Sequence, residues 1–217
     1  MIKFTKPLSD YSYILSFDLA KRLSGYTLYD IKKDKVILAG TIDTTKNKDE
    51  YIWSYFYNAV TDVISSLDNK SNVFIVKERL PNQNGRFSTI DTLQGLAQAH
   101  AVFDLAVVHS GIEVYDYEGI HATSVKAYFK NLTDCEKPQK EDIAEYLKQR
   151  FSDFDFSQYP FDVTDSLAVT LTLIDKKWNL DVAERIKELK KEQKSAKSEN
   201  KIARLKDEII RLESLKI

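Results

Sequence analysis

Strand-like apolar runs open this chain, and helical periodicity follows. Three runs rich in Ile, Leu, Val, Tyr and Thr are separated by short polar or glycine-containing turns, which is typical of consecutive strands. Further along, apolar residues recur at intervals of three and four, which predicts helices. The predicted strands are residues 13–19, 25–31, 35–43, 72–78 and 112–117, and the predicted helices are residues 49–67, 88–110, 121–130, 139–150 and 161–177.

The order of these elements predicts the architecture. Three consecutive strands with short connections form an antiparallel meander, whereas strands that return through helices pair in parallel. We therefore predict an α/β domain over residues 1–180, built on a five-stranded mixed sheet with helices on both faces.

The tail, residues 181–217, differs from the rest because it contains no Pro or Gly and mixes Lys with Glu. It carries 11 Lys or Arg and 8 Asp or Glu. The pattern predicts one long helix or a helical hairpin. A solvated helix without a partner, a dimerisation element and a DNA contact all remain open for it. Its apolar seams are Ile202, Leu205, Ile209 and Leu212 and, out of phase with them, Val182, Ile186 and Leu189.

The composition indicates a folded chain in a reducing compartment. Of its 217 residues, 43% are hydrophobic and 30% are charged, which excludes a disordered chain. The single Cys135 excludes an internal disulfide framework, and its polar surroundings disfavour a nucleophilic role. Apolar runs shorter than the roughly 20 residues of a membrane span, and an N-terminus without a signal-peptide core, predict a cytoplasmic protein without a membrane partner. The net charge of −1 does not decide whether nucleic acid binds.

Four acidic residues occupy positions that suggest chemistry. Asp18 interrupts an apolar strand and Glu78 ends a buried one, so parallel pairing of these strands would bring both acids to one end of the sheet. Asp162 and Asp165, three residues apart at the head of an apolar helix, share one helix face. Together these four carboxylates would repel and raise one another's pKa, which a hard divalent cation relieves, Mg²⁺ being the usual choice.

Each acid also has an ordinary structural explanation. An acid in the first strand can close a turn beside a basic residue, an acid at a strand end can pair with a basic neighbour, and acids at a helix start can cap the first turn. All four together, in this element order, favour a metal site over four separate structural roles. The three histidines show no spacing typical of metal ligands, and we expect surface or packing roles for His100, His109 and His121.

Four stretches of the sequence carry a resemblance to one family. They are "ILSFDLAKRLSGYTLY", "VFIVKERLP", "LQGLAQAHAVFDLAVVHSGIEVYDYEGIHATSVKAYF" and "FDVTDSLAVTLTL". They look like four segments of the RuvC-type Holliday-junction resolvases of bacteria and their phages. In the same order, these segments are the strand with the catalytic Asp, the strand with the catalytic Glu, the long helix with its fifth strand and Val-Lys segment, and the closing Asp-x-x-Asp helix. These resolvases belong to the RNase H-like superfamily. The resemblance covers residues 12–177 and leaves the tail outside.

The resemblance implies roles for individual residues. The catalytic and metal-binding carboxylates would be Asp18, Glu78, Asp162 and Asp165, holding two Mg²⁺ ions for which Mn²⁺ substitutes. The candidate DNA contacts would be Lys126 and Lys140, with Lys137 as the other candidate for the position of Lys140, and in addition Arg79, Arg86 and Phe87. The sequence departs from the family where Ala20 replaces a usual Gly, and where Pro81 and the later Phe87 stand in place of an aromatic residue just after the catalytic Glu.

The expected activity is a Mg²⁺-dependent endonuclease that resolves four-way DNA junctions by paired nicks, with two metals about 3.5–4 Å apart. Because such a junction is two-fold symmetric, we expect a C2 homodimer in the cytoplasm of a bacterium or a phage-infected host. The alternatives are an RNase H-like nuclease on branched DNA, flaps or RNA–DNA hybrids, and a non-catalytic module that binds branched DNA. The predicted dimer face is the 88–110 helix, with Leu93, Leu96, Val102 and Phe103.

Overall fold

The computed structural model of this protein describes residues 10–45, 51–68, 70–80, 89–112, 116, 118–196 and 198–213. Its strands are β1 (Tyr13–Asp18), β2 (Leu23–Asp30), β3 (Lys35–Asp43) and β4 (Val73–Lys77), and its helices are α1 (Ile52–Ser65), α2 (Ile90–His109), α3 (Ala122–Lys130), α4 (Lys140–Arg150), α5 (Phe161–Ser195) and α6 (Glu199–Glu213). These elements confirm the predicted ones, except that α5 runs past its predicted end. The predicted strand 112–117 falls mostly outside the described residues.

The four described strands form one mixed sheet in the order β3-β2-β1-β4. Short turns join the first three strands, which pair antiparallel, whereas β4 returns through α1 and pairs in parallel with β1. Beyond β4, the backbone N–H groups of Asp116 and Ile120 donate to the carbonyls of Ile75 and Lys77, each over 2.9 Å. The predicted α/β class with a mixed sheet flanked by helices is confirmed.

One face of the sheet packs on α1 and α2. Leu15 and Phe17 alternate with their neighbours along β1, point to this face and are fully buried together with Phe56 of α1 and Phe103 of α2. The Phe17 and Phe103 rings meet edge to face, with centroids 4.7 Å apart. Because Phe103 belongs to this core, its assignment to the predicted dimer face was wrong.

The opposite face of the sheet is covered by the first part of α5. Since side chains alternate along a strand, Ser16 and Asp18 point away from Phe17 and toward α5. The hydroxyl of Thr170 in α5 donates to the hydroxyl of Ser16 over 2.7 Å. Helices therefore flank both faces, and Asp18 lies on the face that α5 covers.

The chain divides into two compact units, whose described parts are residues 10–172, called here the first unit, and residues 173–213, called the C-terminal unit. The prediction of a nuclease domain ending at residue 180 stays a prediction. α5 continues to Ser195 because no Pro or Gly follows residue 177 to end it. No helix in the described part of the chain is long and apolar enough to cross a membrane.

The C-terminal unit is a helical hairpin, one of the two predicted forms of the tail. Five residues of the two predicted seams form a buried aliphatic cluster. The guanidinium of Arg185 also reaches across from α5 to Glu208 of α6, over 3.4 Å. The members of the cluster are Val182, Ile186, Leu189, Leu205 and Ile209.

Candidate active site

Asp18 and Glu78 meet at the ends of two parallel strands. The register of β1 and β4 pairs Phe17 with Lys77, so the next residues, Asp18 and Glu78, lie side by side. The backbone N–H of Glu78 donates to the carbonyl of Phe17 over 2.9 Å, which fixes this position. The two side chains share a hydrogen bond, and Asp18 is only 7% exposed.

The basic neighbours of these two acids are engaged elsewhere. This weakens the explanation that Asp18 and Glu78 serve as ordinary partners of adjacent Lys or Arg side chains. The observed ion pairs are Lys21 with Asp91 at 3.0 Å, Lys77 with Asp104, and Arg79 with Glu118 at 3.9 Å.

Gly25 allows the start of α5 to approach the sheet. In β2 it pairs with Asp18 of β1. A Cβ atom added at Gly25 would meet the carbonyl group of Asp162 and would lie 2.6 Å from the backbone nitrogen of Val163. No other amino acid fits here without displacing the helix, so Gly25 brings the first turn of α5, with Asp162 and Asp165, next to Asp18.

A ladder of buried hydroxyl groups sets the position of α5 along the sheet. Ser16 and Thr27 hydrogen-bond across β1 and β2 over 2.7 Å. From α5, Ser166 donates to Thr27 over 3.2 Å and Thr170 donates to Ser16 over 2.7 Å. All four side chains are fully buried, so a shift of α5 along the sheet would leave unpaired hydroxyls in the interior. Because Ser166 directly follows Asp165, this hydroxyl ladder also places Asp165.

The electrostatics of the site show that the acids are close together. Burial raises the pKa of Asp18 well above its usual range, and the carboxyls of Glu78 and Asp165 raise it further, against the opposing effect of Lys140. Burial also raises the pKa of Asp165; Lys140 lowers it, and the charges of Glu78 and Asp162 raise it. The structure therefore brings Asp18, Glu78 and Asp165 close together from β1, β4 and α5, with Asp162 one helical turn before Asp165.

Lys140, the first residue of α4, forms an ion pair with Asp165. Burial lowers the pKa of Lys140, but the hydrogen bond to Asp165 and the charges of Asp165, Asp18 and Glu78 outweigh burial and raise it. The ammonium group thus lies in the negative potential of the cluster. Its side chain is 63% exposed, which leaves it room to move away.

The donor set fits a hard divalent cation, although the side chains are not yet arranged as ligands. Carboxylate oxygens are the donors that Mg²⁺ prefers, and the charges of neighbouring carboxyls add to burial in raising the pKa values of Asp18 and Asp165. Among the described residues, no three Asp, Glu, His or Cys side chains could hold a metal ion as they stand. Metal binding by these acids would require Asp18 to be ionised and Asp165 to be released by Lys140.

The remaining predicted DNA contacts are less closely tied to this cluster. Lys126 on α3 and Lys137 before α4 are exposed. The backbone N–H of Arg79 donates to the carbonyl of Ile120 over 2.8 Å, so the residue after Glu78 is held in place. The other predicted contacts, Arg86 and Phe87, lie outside the described residues, as does Pro81.

Sequence patterns missed two features beside the site. One is the hydroxyl ladder. In the sequence it is visible only as a Ser that alternates with core residues in "YILSFDL" and as Ser and Thr residues that recur among apolar residues in "DSLAVTLTL". The other is a buried lysine on the α2 side of the sheet. Lys77 forms an ion pair with Asp104, and its ammonium lies 5.6 Å from the Phe103 ring centroid. Burial, followed by the charge of Lys77, lowers the pKa of His100 to about 4, which fits the packing role expected for this histidine.

Comparisons with known proteins match this geometry at the level of structure. No protein-family profile matches the chain, and no curated protein matches it. The structure of Thermus thermophilus RuvC in complex with a Holliday junction substrate is similar, with 14% identity and a TM-score of 0.55 over 75% of this chain and 92% of that one. A second Thermus thermophilus RuvC structure gives 13% identity and a TM-score of 0.54 over 74% and 92% of the two chains.

A eukaryotic protein shows the same similarity. The yeast mitochondrial Holliday junction resolvase Ydc2 is 14% identical, with a TM-score of 0.52 over 77% of this chain and 79% of that one. At such identities a structural match shows the fold alone. Together with the strand order and helix placement described above, these matches show that the chain has the fold of the RuvC-type resolvases.

Proposed function

We propose that this protein is a divalent-metal-dependent endonuclease that resolves four-way DNA junctions by paired nicks. The observation that carries the proposal is that Asp18, Glu78 and Asp165 lie close together at one end of the sheet, with Asp162 beside Asp165 on α5. The similar structures are described as Holliday junction resolvases or as RuvC bound to a Holliday junction, which supports the substrate class. The cytoplasmic location and the bacterial or phage origin stay predictions.

The four carboxylates would hold the cations. Two Mg²⁺ ions held there, or Mn²⁺ in their place, would supply an activated water and stabilisation of a leaving 3′-oxygen, so that the product would carry a 5′-phosphate. The buried carboxyl of Asp18 and its partner Glu78 lie at the floor of the site, whereas Asp162 and Asp165 stand on the first turn of α5. In this proposal the scissile phosphate would lie among oxygen donors from two strands and one helix.

Lys140 has a second role in this proposal. In the absence of cations its ammonium neutralises Asp165, and its exposed side chain can turn to a DNA phosphate once the carboxylates bind metal. Lys126, Lys137 and Arg79 would add phosphate contacts that provide affinity without base readout. The site would therefore exchange an internal ion pair for a metal and a phosphate contact.

The homodimer is part of the proposal, and α2 supplies a face for it. Three apolar residues of this helix are strongly exposed: Ile90 at 76%, Leu105 at 49% and Val108 at 62%. At 3.6 residues per turn they lie within about 60° of one another around the helix axis, so they form one stripe. A C2 pairing through this stripe would present two active sites to a two-fold symmetric junction.

The test is a cleavage comparison with fixed four-way junctions, flaps and RNA–DNA hybrids in Mg²⁺ and in Mn²⁺, with the oligomeric mass measured alongside. We expect paired nicks in the junction and a lower rate on the other substrates. Asp18→Asn should reduce nicking at least about 10²-fold, because a metal ligand stabilises the transition state by several kcal/mol.

Each other outcome identifies a different function. Preferential cleavage of hybrids or flaps would indicate an RNase H-like nuclease with another substrate. Junction binding without nicking in either metal would indicate a non-catalytic binding module. Wild-type rates in Asp18→Asn would overturn the assignment of the carboxylate cluster.

A further inference from the structure

The C-terminal part of α5 carries opposite charges on its two flanks. At 3.6 residues per turn, its four lysines fall within an arc of about 100° and its three glutamates within an arc of about 80° on the other side. The aliphatic residues that pack on α6 occupy the arc between them. The lysines are Lys187, Lys190, Lys191 and Lys194, and the glutamates are Glu184, Glu188 and Glu192.

The four lysines line a groove of about 420 Å³ whose remaining walls are Ala183 and Ile186. Among the described residues, none forms an ion pair with Lys187, Lys191 or Lys194. Arg185 behaves differently, since its guanidinium pairs with Glu188 at 3.3 Å and with Glu208 at 3.4 Å. The charges of Lys187, Lys191 and Lys194 are therefore presented to solvent.

The lysine arrangement is unfavourable for the helix by itself. Lys187 and Lys191 are four residues apart, as are Lys190 and Lys194, and like charges at this spacing destabilise a helix. The basic charge is also concentrated near the turn of the hairpin. Residues 187–206 hold eight Lys or Arg and three Asp or Glu. Residues 181–186 and 207–217 together hold only three Lys or Arg and five Asp or Glu. An anionic partner would relieve this repulsion.

We propose that this lysine groove binds the phosphate backbone of duplex DNA, as a contact to one arm of the branched substrate. The proposal rests on the junction-resolving function proposed above. From Lys187 to Lys194 the helix rises about 10 Å, over which one DNA strand presents about three phosphates along the duplex axis. Lysines act here as point charges for phosphate without reading sequence.

Two other anionic partners fit the groove less well. Single-stranded nucleic acid is bound with aromatic residues that stack on bases, and none of the described residues that line the groove is aromatic. A membrane-surface helix inserts an apolar face into the lipid, but the apolar face of this part of α5 is occupied by α6. Duplex phosphate remains the partner that matches both the charge and the shape.

The experiment measures binding of the full chain to immobile four-way junctions in Ca²⁺, which slows nicking. The junctions have arms of about one helical turn, 10 bp, or of about 25 bp. The variant K187Q/K191Q/K194Q removes three charges at equal helix propensity. K187R/K191R/K194R keeps the charges, and E184Q/E188Q is the matched control on the opposite flank. Circular dichroism checks that each variant stays helical.

We expect the Gln variant to bind the long-arm junction at least about tenfold more weakly at 0.1 M salt, with the slope of log K against log salt reduced by two to three. Its affinity for the short-arm junction should fall less, because a shorter arm offers fewer phosphates to the groove. The Arg variant should bind as the wild type does, and the Glu control should bind equally or more tightly.

Three results would overturn this proposal. They are an unchanged affinity for the long-arm junction, an equal loss on both junctions, and unchanged DNA binding with lost binding to phosphatidylserine vesicles. The nuclease proposal fails separately, when Asp18→Asn nicks the short-arm junction as fast as the wild type. The two proposals are therefore distinguishable in one set of measurements.

Discussion

The first unit and the C-terminal unit bury different kinds of side chain. The cluster between α5 and α6 is aliphatic, and the buried polar residue found in that unit, Lys177, is paired with Asp181 one turn further on. The first unit instead buries carboxyl, ammonium, imidazole and hydroxyl groups, among them Asp18, Lys77 and His100. Buried polar groups lower stability unless each finds a partner, so their presence marks a region shaped by chemistry as well as by packing.

This difference separates what each unit contributes. The C-terminal unit folds on a stripe of aliphatic residues and leaves its charges at the surface, which suits a binding element. In the first unit, the network of Ser16, Thr27 and Thr170 holds α5 at one position on the sheet, which keeps Asp165 near Asp18. The units should therefore respond differently to substitutions in their interiors.

The largest effect is expected from Gly25→Ala. Its Cβ would meet the backbone of Asp162 and push the first turn of α5 away from the sheet. Since a displacement of about 1 Å at a reacting centre can reduce the rate about 10²-fold, we expect nicking to fall by at least that factor. The measurement is single-turnover cleavage of a junction.

Gly95→Ala is the matched control for this change. The Cβ there would meet the end of the flexible Lys21 side chain, which can move aside, and Ala favours the helix that contains it. Activity should stay near the wild-type level. Equal activity of the two variants would contradict the role of Gly25 in placing α5.

A large effect on stability with little effect on chemistry is expected from Leu189→Ala. Leu189 is fully buried in the hairpin cluster, and truncating such a residue destabilises by about 2–5 kcal/mol. We expect loss of helical signal at 222 nm and faster amide exchange in residues 173–213, with nicking of short-arm junctions retained. The control is Leu180→Ala, because Leu180 is 60% exposed.

Local patterns predicted more of the backbone than of the site. The strands and helices follow from periodicity, and the pair Asp162 and Asp165 is visible in one stretch of sequence. By contrast, Lys140 and Asp165 are 25 residues apart, and Ser16 and Thr170 are 154 apart. These contacts depend on how helices lie on the sheet, which periodicity does not specify. The continuation of α5 was missed because the change from apolar to charged composition looked like an end, although no helix-breaking residue stands there.

A smaller effect is expected from Thr170→Val, which removes one hydroxyl of the ladder at nearly constant shape. The lost partner of Ser16 should lower the free energy of unfolding by about 1–3 kcal/mol. Nicking should fall with it, because α5 loses part of its register. The matched control is Thr172→Val, since the hydroxyl of Thr172 bonds to Ala168 within the same helix over 2.8 Å. Both the nicking rate and the free energy of unfolding are measured for each variant. If the two variants lose activity in the same proportion to their lost stability, the hydroxyl ladder has no positioning role.

The smallest expected effect is a change in stability from Asp18→Asn, which tests whether burial of the carboxylate cluster lowers stability. The expected change is a gain in stability, whereas the other changes cause losses. Because the folded-state pKa of Asp18 lies above its ordinary value of 3.8, the folded protein keeps a proton that the unfolded chain releases. The stability from this group is therefore present at low pH and is lost as the pH rises through the folded-state pKa.

In Asp18→Asn this loss disappears. Measured by urea unfolding in EDTA, the variant should be as stable as the wild type near pH 4 and more stable at pH 8. Asp153→Asn is the control, because Lys35 lowers the pKa of that exposed carboxyl and the substitution should bring no gain. Mg²⁺ should then stabilise the wild type and narrow the gap at pH 8, since a ligand that binds only the folded state adds its binding free energy to folding. A gap that is the same at pH 4 and pH 8 would show that Asp18 ionises without penalty, and the carboxylates would then have no need of a cation.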